Sequence, residues 1–568
     1  MSKRAMNKKN VFPKGRKSSK ASLKSVRTAD DNAMTQVRNI DPVPAGQSPE
    51  ACVTPSPDKG DNISPGTVTA STMLVRKESI RGLVSTLSLY NMHEYEWGKW
   101  WIPVLLLLIV VLFAVSAMTV WVVMRRRVTS PDVNTSPTTG VCVAPSGDPQ
   151  VTLESLGTTV HGKIDQSRQL RKFFGIPYGR NVSAIRRFQR AQAVTSLGEN
   201  GSFYAYRHGS DCPQGGLAKQ GLDEECLTLS IWIPVVCATS SPLKSVLVVV
   251  ASEWFQFDSA VQLNSTWETL SLGGDIAVVT IRHRLGLLGF LDTSSMDASG
   301  YAGVEDVFLA LKWISEHIAA FHGDPNGLVG FGFGSGAYIL SMDLFAETLG
   351  RKKFFKRLLL HGLSPTSLVP RADPNDVSRL VTAMQCPSKI SQSSLTDCLR
   401  NVTLKRIYEE TAKLPPLFFA PDCDRPPFDG CDEVFSKLPA SLRGIEILCG
   451  YNIKDGREFF NEHFQLPENL KTQDLFDQLQ MLFTGEERHT FQDLPVEIRR
   501  ELDKGGKANL GGFMELVSDM SFRCPMIELA RQTADRGASV YLYDSDATHK
   551  LLEPALMMAD IIAFVKRG

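Results

Sequence analysis

The chain has no surplus of charge of either sign. Its 62 lysines and arginines meet 61 aspartates and glutamates, a formal net charge of +1 over 568 residues, so composition gives no argument for nucleic acid as a partner. Histidine is scarce, with ten in the whole chain. His161, His208, His283, His317, His322, His361, His463 and His489 are scattered, without the spacing of a metal site or a catalytic base. Neither a metal nor another cofactor is therefore expected. Aromatic residues are almost missing from residues 1 to about 75, which are rich in Lys, Ser, Pro, Asn, Asp and Thr. Such a segment does not bury enough apolar surface to offset the entropy of ordering, and it reads as a disordered tail.

A further absence is local. Gly332-Phe333-Gly334-Ser335-Gly336 has the outer glycines of a G-x-S-x-G nucleophile elbow, a sharp strand-to-helix turn that exposes a serine. The middle position is Gly334, which has no side chain to react. Ser335 comes one step later and, on a helix, would be rotated by about 100° from the reactive direction.

The flanking sequence supports the turn itself. Leu328-Val329-Gly330-Phe331 reads as a short apolar strand before it, and Gly336-Ala337-Tyr338-Ile339-Leu340 as the start of a helix. Upstream, Asp306 to Ile314 has helical apolar spacing and Phe321-His322-Gly323-Asp324-Pro325 reads as a turn. Ile276 to Gly286 reads as a buried strand leading into a loop. Strand, helix, strand, elbow, helix in this order predicts an α/β architecture with a mostly parallel sheet.

At this point the chain resembles the cholinesterase/carboxylesterase family. The likeness rests on FFGIPYG, DEECLTLSIWIP, IRHRLGLLGFLD, YAGVEDVFLALKWISEHIAAFHGDPNGLVGFGFGSGAY and GYNIKDGREFF, in the family's order, and covers residues 149–568. It implies an α/β-hydrolase fold. It also implies a nucleophile at Gly334, an acid at Asp455, and a base between the last strand, Val540-Tyr541-Leu542-Tyr543, and the final helix, where only His549 is found. Oxyanion glycines are implied after Val246 to Ala251, where the chain reads Ser252-Glu253-Trp254. Acyl transfer needs nucleophile, base and oxyanion donors together. The expectation is a non-catalytic domain, with Asp455 left as a loop-ordering carboxylate.

Residues 102–124 form an uncharged apolar run, about the length that spans a bilayer. Trp100, Trp101 and Trp121 sit near its ends and Arg125-Arg126-Arg127 follows it. The domains expected are a tail (1–101), a signal-anchor helix (102–124), a stalk (125–148) and the esterase-like domain (149–568). Flanking charge does not orient the span, because Arg76, Lys77, Arg81 and Lys99 offset the three arginines. Beyond the span lie N-x-S/T triplets at Asn134, Asn181, Asn200, Asn264 and Asn401, candidate glycosylation sites. Ten of the eleven cysteines also lie there, and only Cys52 precedes it. The family resemblance implies two bridges, Cys212 with Cys226 and Cys386 with Cys398, which need an oxidising compartment. Its third bridge lacks a C-terminal partner for Cys524, and the pairing of Cys142, Cys237, Cys423, Cys431 and Cys449 stays open.

The expected topology is single-pass type II at the plasma membrane, with a cytoplasmic N-terminus and the large domain outside. That order of parts resembles neurotactin-like adhesion proteins. The resemblance implies heterophilic adhesion in neural or epithelial development, with an extracellular protein ligand such as a secreted immunoglobulin-domain adhesion protein. Two alternatives stay open: a residual membrane-anchored carboxylesterase relying on Ser335, and a receptor or sink for small apolar ligands.

Overall fold

The computed structural model describes residues 147–567 except 215–221, 237–240, 259–263, 296–297, 373, 387–391, 415–416, 429, 431–432, 464–469, 483–498, 501, 504 and 546–553. The expected tail and span, nearly all of the stalk, Asn134 and His549 therefore lie outside the described residues. Among those described, no helix is long and apolar enough to cross a membrane. Of the two units into which the chain divides, the larger holds nearly all of the described residues, those within 147–234 and 242–567.

The larger unit begins with strands β1 (Gln150–Leu153), β2 (Thr158–His161), β3 (Lys163–Asp165) and β4 (Leu170–Pro177), followed by β5 (Ser202–Tyr204) and β6 (Thr228–Pro234). Next come β7 (Lys244–Glu253), β8 (Phe257–Asp258), β9 (Ala277–Ile281), and a ribbon of β10 (Asp292–Ser295) and β11 (Ala298–Ser299). The elbow strand is β12 (Gly323–Gly334); β13 (Arg357–Gly362), β14 (Glu446–Asn452) and β15 (Ser539–Ser545) complete the set.

β1, β2 and β5 make a small three-stranded sheet. The large sheet has ten strands, ordered β15-β14-β13-β12-β7-β9-β6-β4-β3 with β8 beside β7. It is parallel from β15 to β9 and antiparallel from β9 through β6 and β4 to β3. β6 and β9 are buried along their whole lengths, as expected of a sheet covered on both faces, where strands need no polar alternation.

Helices cover both faces. On one, α1 (Asn264–Gly274) and α6 (Pro554–Lys566) bring Trp267, Leu270, Ile561 and Phe564 over Leu247, Val249, Phe331 and Leu359. The opposite core takes Val307, Leu311 and Ile314 of α2 (Ala302–His317) and Ile339 and Leu340 of α3 (Ser335–Ser341). α4 (Asp455–His463) and α5 (Leu510–Ser518) pack against each other. Each fully buried Leu, Ile or Phe stabilises by about 1.5–3 kcal/mol relative to exposure.

Two boundaries differ from the sequence reading. The turn at 321–325 is centred on His322, at φ 76°, and although β12 starts at Gly323, its pairing with β7 is interrupted between Gly323 and Leu328. The segment Ser252-Glu253, expected as loop, is strand: β7 continues through Glu253 and pairs with β8, Ser252 opposite Asp258. A local pairing partner has overridden the loop-like composition. The mostly parallel sheet that was expected is present from β15 to β9, and β3, β4 and β6 add an antiparallel flank.

Both expected bridges are present, Cys212–Cys226 and Cys386–Cys398, with Cα atoms 5.0 and 5.8 Å apart. Cys423 and Cys524 are also disulfide-bonded. The even count beyond the span does not mean that every cysteine is paired. Cys449, on β14 between Leu360 and Leu542, is a buried free thiol.

Candidate functional site at the elbow

β12 ends at Gly334, with φ 57° and ψ −124°, and α3 starts at the next residue. This is a backbone conformation that L side chains rarely adopt, so the sharp turn is present. Its flanking glycines are needed for packing. A Cβ on Gly332 would lie 2.5 Å from the Ala337 Cα, and one on Gly336 only 2.0 Å from the Val250 carbonyl oxygen.

The position between them is enclosed. Gly334 pairs with Ser252 of β7 on one side and Gly362 of β13 on the other. A Cβ on Gly334 would lie 2.4 Å from the Ser252 carbonyl oxygen, and one on Gly362 2.9 Å from the Gly334 Cα. The extension of β7 through Ser252 occupies the space into which a side chain at 334 would project.

Ser335 is fully buried and its hydroxyl is engaged. Its Oγ accepts from the Phe255 backbone N–H at 2.9 Å, and it lies 2.9 Å from both the Ser252 carbonyl oxygen and the Ser252 hydroxyl. The residue ties the end of β7 and the following loop to the start of α3. Trp254 and Phe255 in that loop both have positive φ, 50° and 61°, at a cost of about 1–3 kcal/mol each. The Gly286 N–H donates to the Phe255 carbonyl at 2.7 Å. Two residues before Gly286 is Arg284, whose guanidinium makes a buried pair with Asp306 of α2 at 2.6 and 2.7 Å.

Trp254 turns inward, its ring 4.4 Å from Phe459 of α4 and 5.2 Å from Phe522. Asp455 stands in the first turn of α4 and accepts from the Asn452 N–H at 3.3 Å. Burial, with the nearby Glu253 charge adding to it, raises its pKa to about 7. The Gly456 N–H donates to Ser518 of α5 at 2.9 Å. Asp455 thus reaches the same end of the sheet as Gly334, in the surroundings of a carboxyl that orders a helix start.

A second pair at this edge was not singled out from sequence. His361 of β13 stacks on Phe333 at 5.2 Å, and its Nδ1 is 2.8 Å from the Tyr543 hydroxyl of β15. Burial pushes the Tyr543 hydroxyl upward. Only register brings these residues together, His361 opposite Phe333 and Gly450 between β13 and β15. The apolar run before His361 was the available signal. Among the described residues no group of His, Cys, Asp and Glu has the arrangement of a metal site.

The expected glycosylation positions differ from one another. Asn181, Asn200 and Asn401 are exposed and Asn264 is half-buried. Asn181 donates its amide to Glu225 and Asn401 to the Asp397 carbonyl.

A mixed sheet with helices on both faces and a strand–glycine–helix elbow defines the α/β-hydrolase class. Residues 147–562 match the carboxylesterase family model, and the chain belongs to that family. It is 28% identical over 365 residues to mouse carboxylesterase 3B, covering 60% of this chain and 59% of that protein. Acetylcholinesterase-1 of Trittame loki is 26% identical over 433 residues, 69% of this chain and 74% of the relative. Rat thyroglobulin, not named as an esterase, is 30% identical over 278 residues, which is 47% of this chain and 10% of thyroglobulin.

Proposed function

We propose that the chain is a non-catalytic cell-surface adhesion receptor, neurotactin-like in its order of parts. In this reading residues 102–124 anchor it in the plasma membrane as a type II protein. The N-terminus is cytoplasmic, and the esterase-like domain binds an extracellular protein ligand, with a secreted immunoglobulin-domain protein as the kind expected. The observation that carries the non-catalytic part is the enclosure of Gly334, with the Ser252 carbonyl oxygen 2.4 Å from any Cβ placed there. The hydrogen bonds that engage Ser335 and the Trp254 ring packed on Phe459 support the same reading. A rigid sheet that presents loops suits binding, since function on such scaffolds resides in the site and not in the fold.

The test uses cells displaying the full chain. Saturable, trypsin-sensitive binding to other cells or to secreted matrix proteins is expected, with simple esters hydrolysed no faster than by control cells. Hydrolysis above control that disappears in Ser335→Ala would establish the residual esterase instead. Saturable uptake of an apolar ester without turnover or cell binding would establish the small-ligand receptor.

A further inference from the structure

The outer face of the small sheet combines hydroxyls with exposed rings. Val151 and Leu153 of β1 and Val160 of β2 point into the core. Strand alternation therefore turns Thr152, Thr159, His161, Ser202 and Tyr204 outward. His161 and Tyr204 face each other in register and stack at 4.7 Å with 21° between planes. Tyr206 continues the row 5.6 Å from Tyr204, and the Lys163 Nζ lies 5.4 Å from the Tyr206 ring. Tyr204 is 62% exposed although its ring is stacked on His161. Exposed stacked rings beside hydroxyls suit the apolar C–H face and polar edge of a sugar.

The N-x-S triplet Asn200-Gly201-Ser202 leads directly into this face. Asn200 and Gly201 have φ of 52° and 71°, and the Ser202 N–H donates to the Glu199 carbonyl at 3.0 Å. This is the two-residue turn that favours Asn-Gly. Asn200 is exposed at its tip. Its amide makes no hydrogen bond within the described residues, whereas those of Asn181 and Asn401 are engaged. From Asn200 to Tyr204 is at most about 13 Å along the chain, within reach of the Asn200 side chain and the two N-acetylglucosamines that begin an N-linked glycan.

We infer that Asn200 carries an N-linked glycan whose first sugars lie along β5 and stack on Tyr204 and His161. The ring row is then covered by the chain's own carbohydrate. The inference rests on the outward placement of the domain, and the experiment separates the two.

The full chain is expressed in animal cells and each triplet is scored by mass spectrometry. Release of the Asn200 glycan by an amidase acting on the native protein is then timed for the parent, Tyr204→Ser and His161→Ser. Occupancy at Asn200 is expected, with release about fivefold faster in Tyr204→Ser, the size of effect a lost stacked pair produces. Release at Asn401 serves as a control and should not change. An unmodified Asn200 beside occupied Asn181 or Asn401 overturns the inference and leaves the topology standing. Occupancy without any effect of either substitution overturns the stacking. No glycan at any triplet overturns the topology and the inference together.

Discussion

The carbonyl oxygen of Ser252 stands where the first side-chain carbon of residue 334 would go, 2.4 Å from an ideal Cβ. Residue 334 already has a φ that disfavours side chains, 57°. Replacing the missing hydroxyl therefore meets two obstacles, backbone strain and a clash with main chain that has little freedom to move.

Gly334→Ser is accordingly expected to destabilise the domain by about 2–4 kcal/mol without creating ester hydrolysis. Chemical denaturation and a chromogenic ester assay measure both. Turnover with unchanged stability would show that the end of β7 relaxes readily.

Ser335→Ala removes a hydroxyl that holds three backbone and side-chain groups. The buried Phe255 N–H loses its acceptor, a loss of about 1–3 kcal/mol. Faster amide exchange at Phe255 and a lower denaturation midpoint are expected, because the residue fastens the loop. An unchanged exchange rate would mean that the loop holds by packing alone.

Asp455 gives stability a pH dependence of definite sign. Its folded pKa is raised to about 7 from the usual 3.8, chiefly by burial. The folded chain thus holds a proton that the unfolded chain has released between these values. The contribution is full below pH 3.8 and falls as pH rises through about 7. Asp343 and Asp519, both raised by burial to about 6, act in the same direction. Asp455→Asn is expected to flatten the decline and to stabilise the domain at pH 8 by about 2–4 kcal/mol relative to the parent. Urea denaturation at pH 5 and pH 8 reads the difference, and equal slopes for parent and variant would rule the assignment out.

Cys212 and Cys226 close a short loop, with a sequence separation of 14. Replacing both by serine is expected to lower stability by about 2–4 kcal/mol. The thermal midpoint should fall under oxidising conditions, while parent and variant converge in reductant. A parent insensitive to reductant would contradict a stabilising role for this bridge.

Much of the scaffold was legible in the sequence because its signals are local. Apolar runs marked β9 and β12, helical spacing marked α2, and glycines marked the elbow. The two bridges came from family resemblance and are present. The rest depends on which strands become neighbours. That β7 continues through Glu253 follows from its pairing with β8, and the composition of Ser252-Glu253-Trp254 does not announce it. The role of Ser335 depends on Phe255, 80 positions away. Cys449 counted toward an even total, yet β14 places it among apolar neighbours, where burial pushes the thiol up to about 12.

The prolongation of β7 also bears on any change at residue 334. A lone change of residue 334 to serine would encounter a strand end joined to β8 by Ser252 and Glu253 and to α3 by Ser335. A side chain at residue 334 would therefore require that strand end to shift away from the Ser252 carbonyl oxygen. The strand end, its hairpin partner and the first turn of α3 thus act as one unit, so a change at residue 334 is felt at all three.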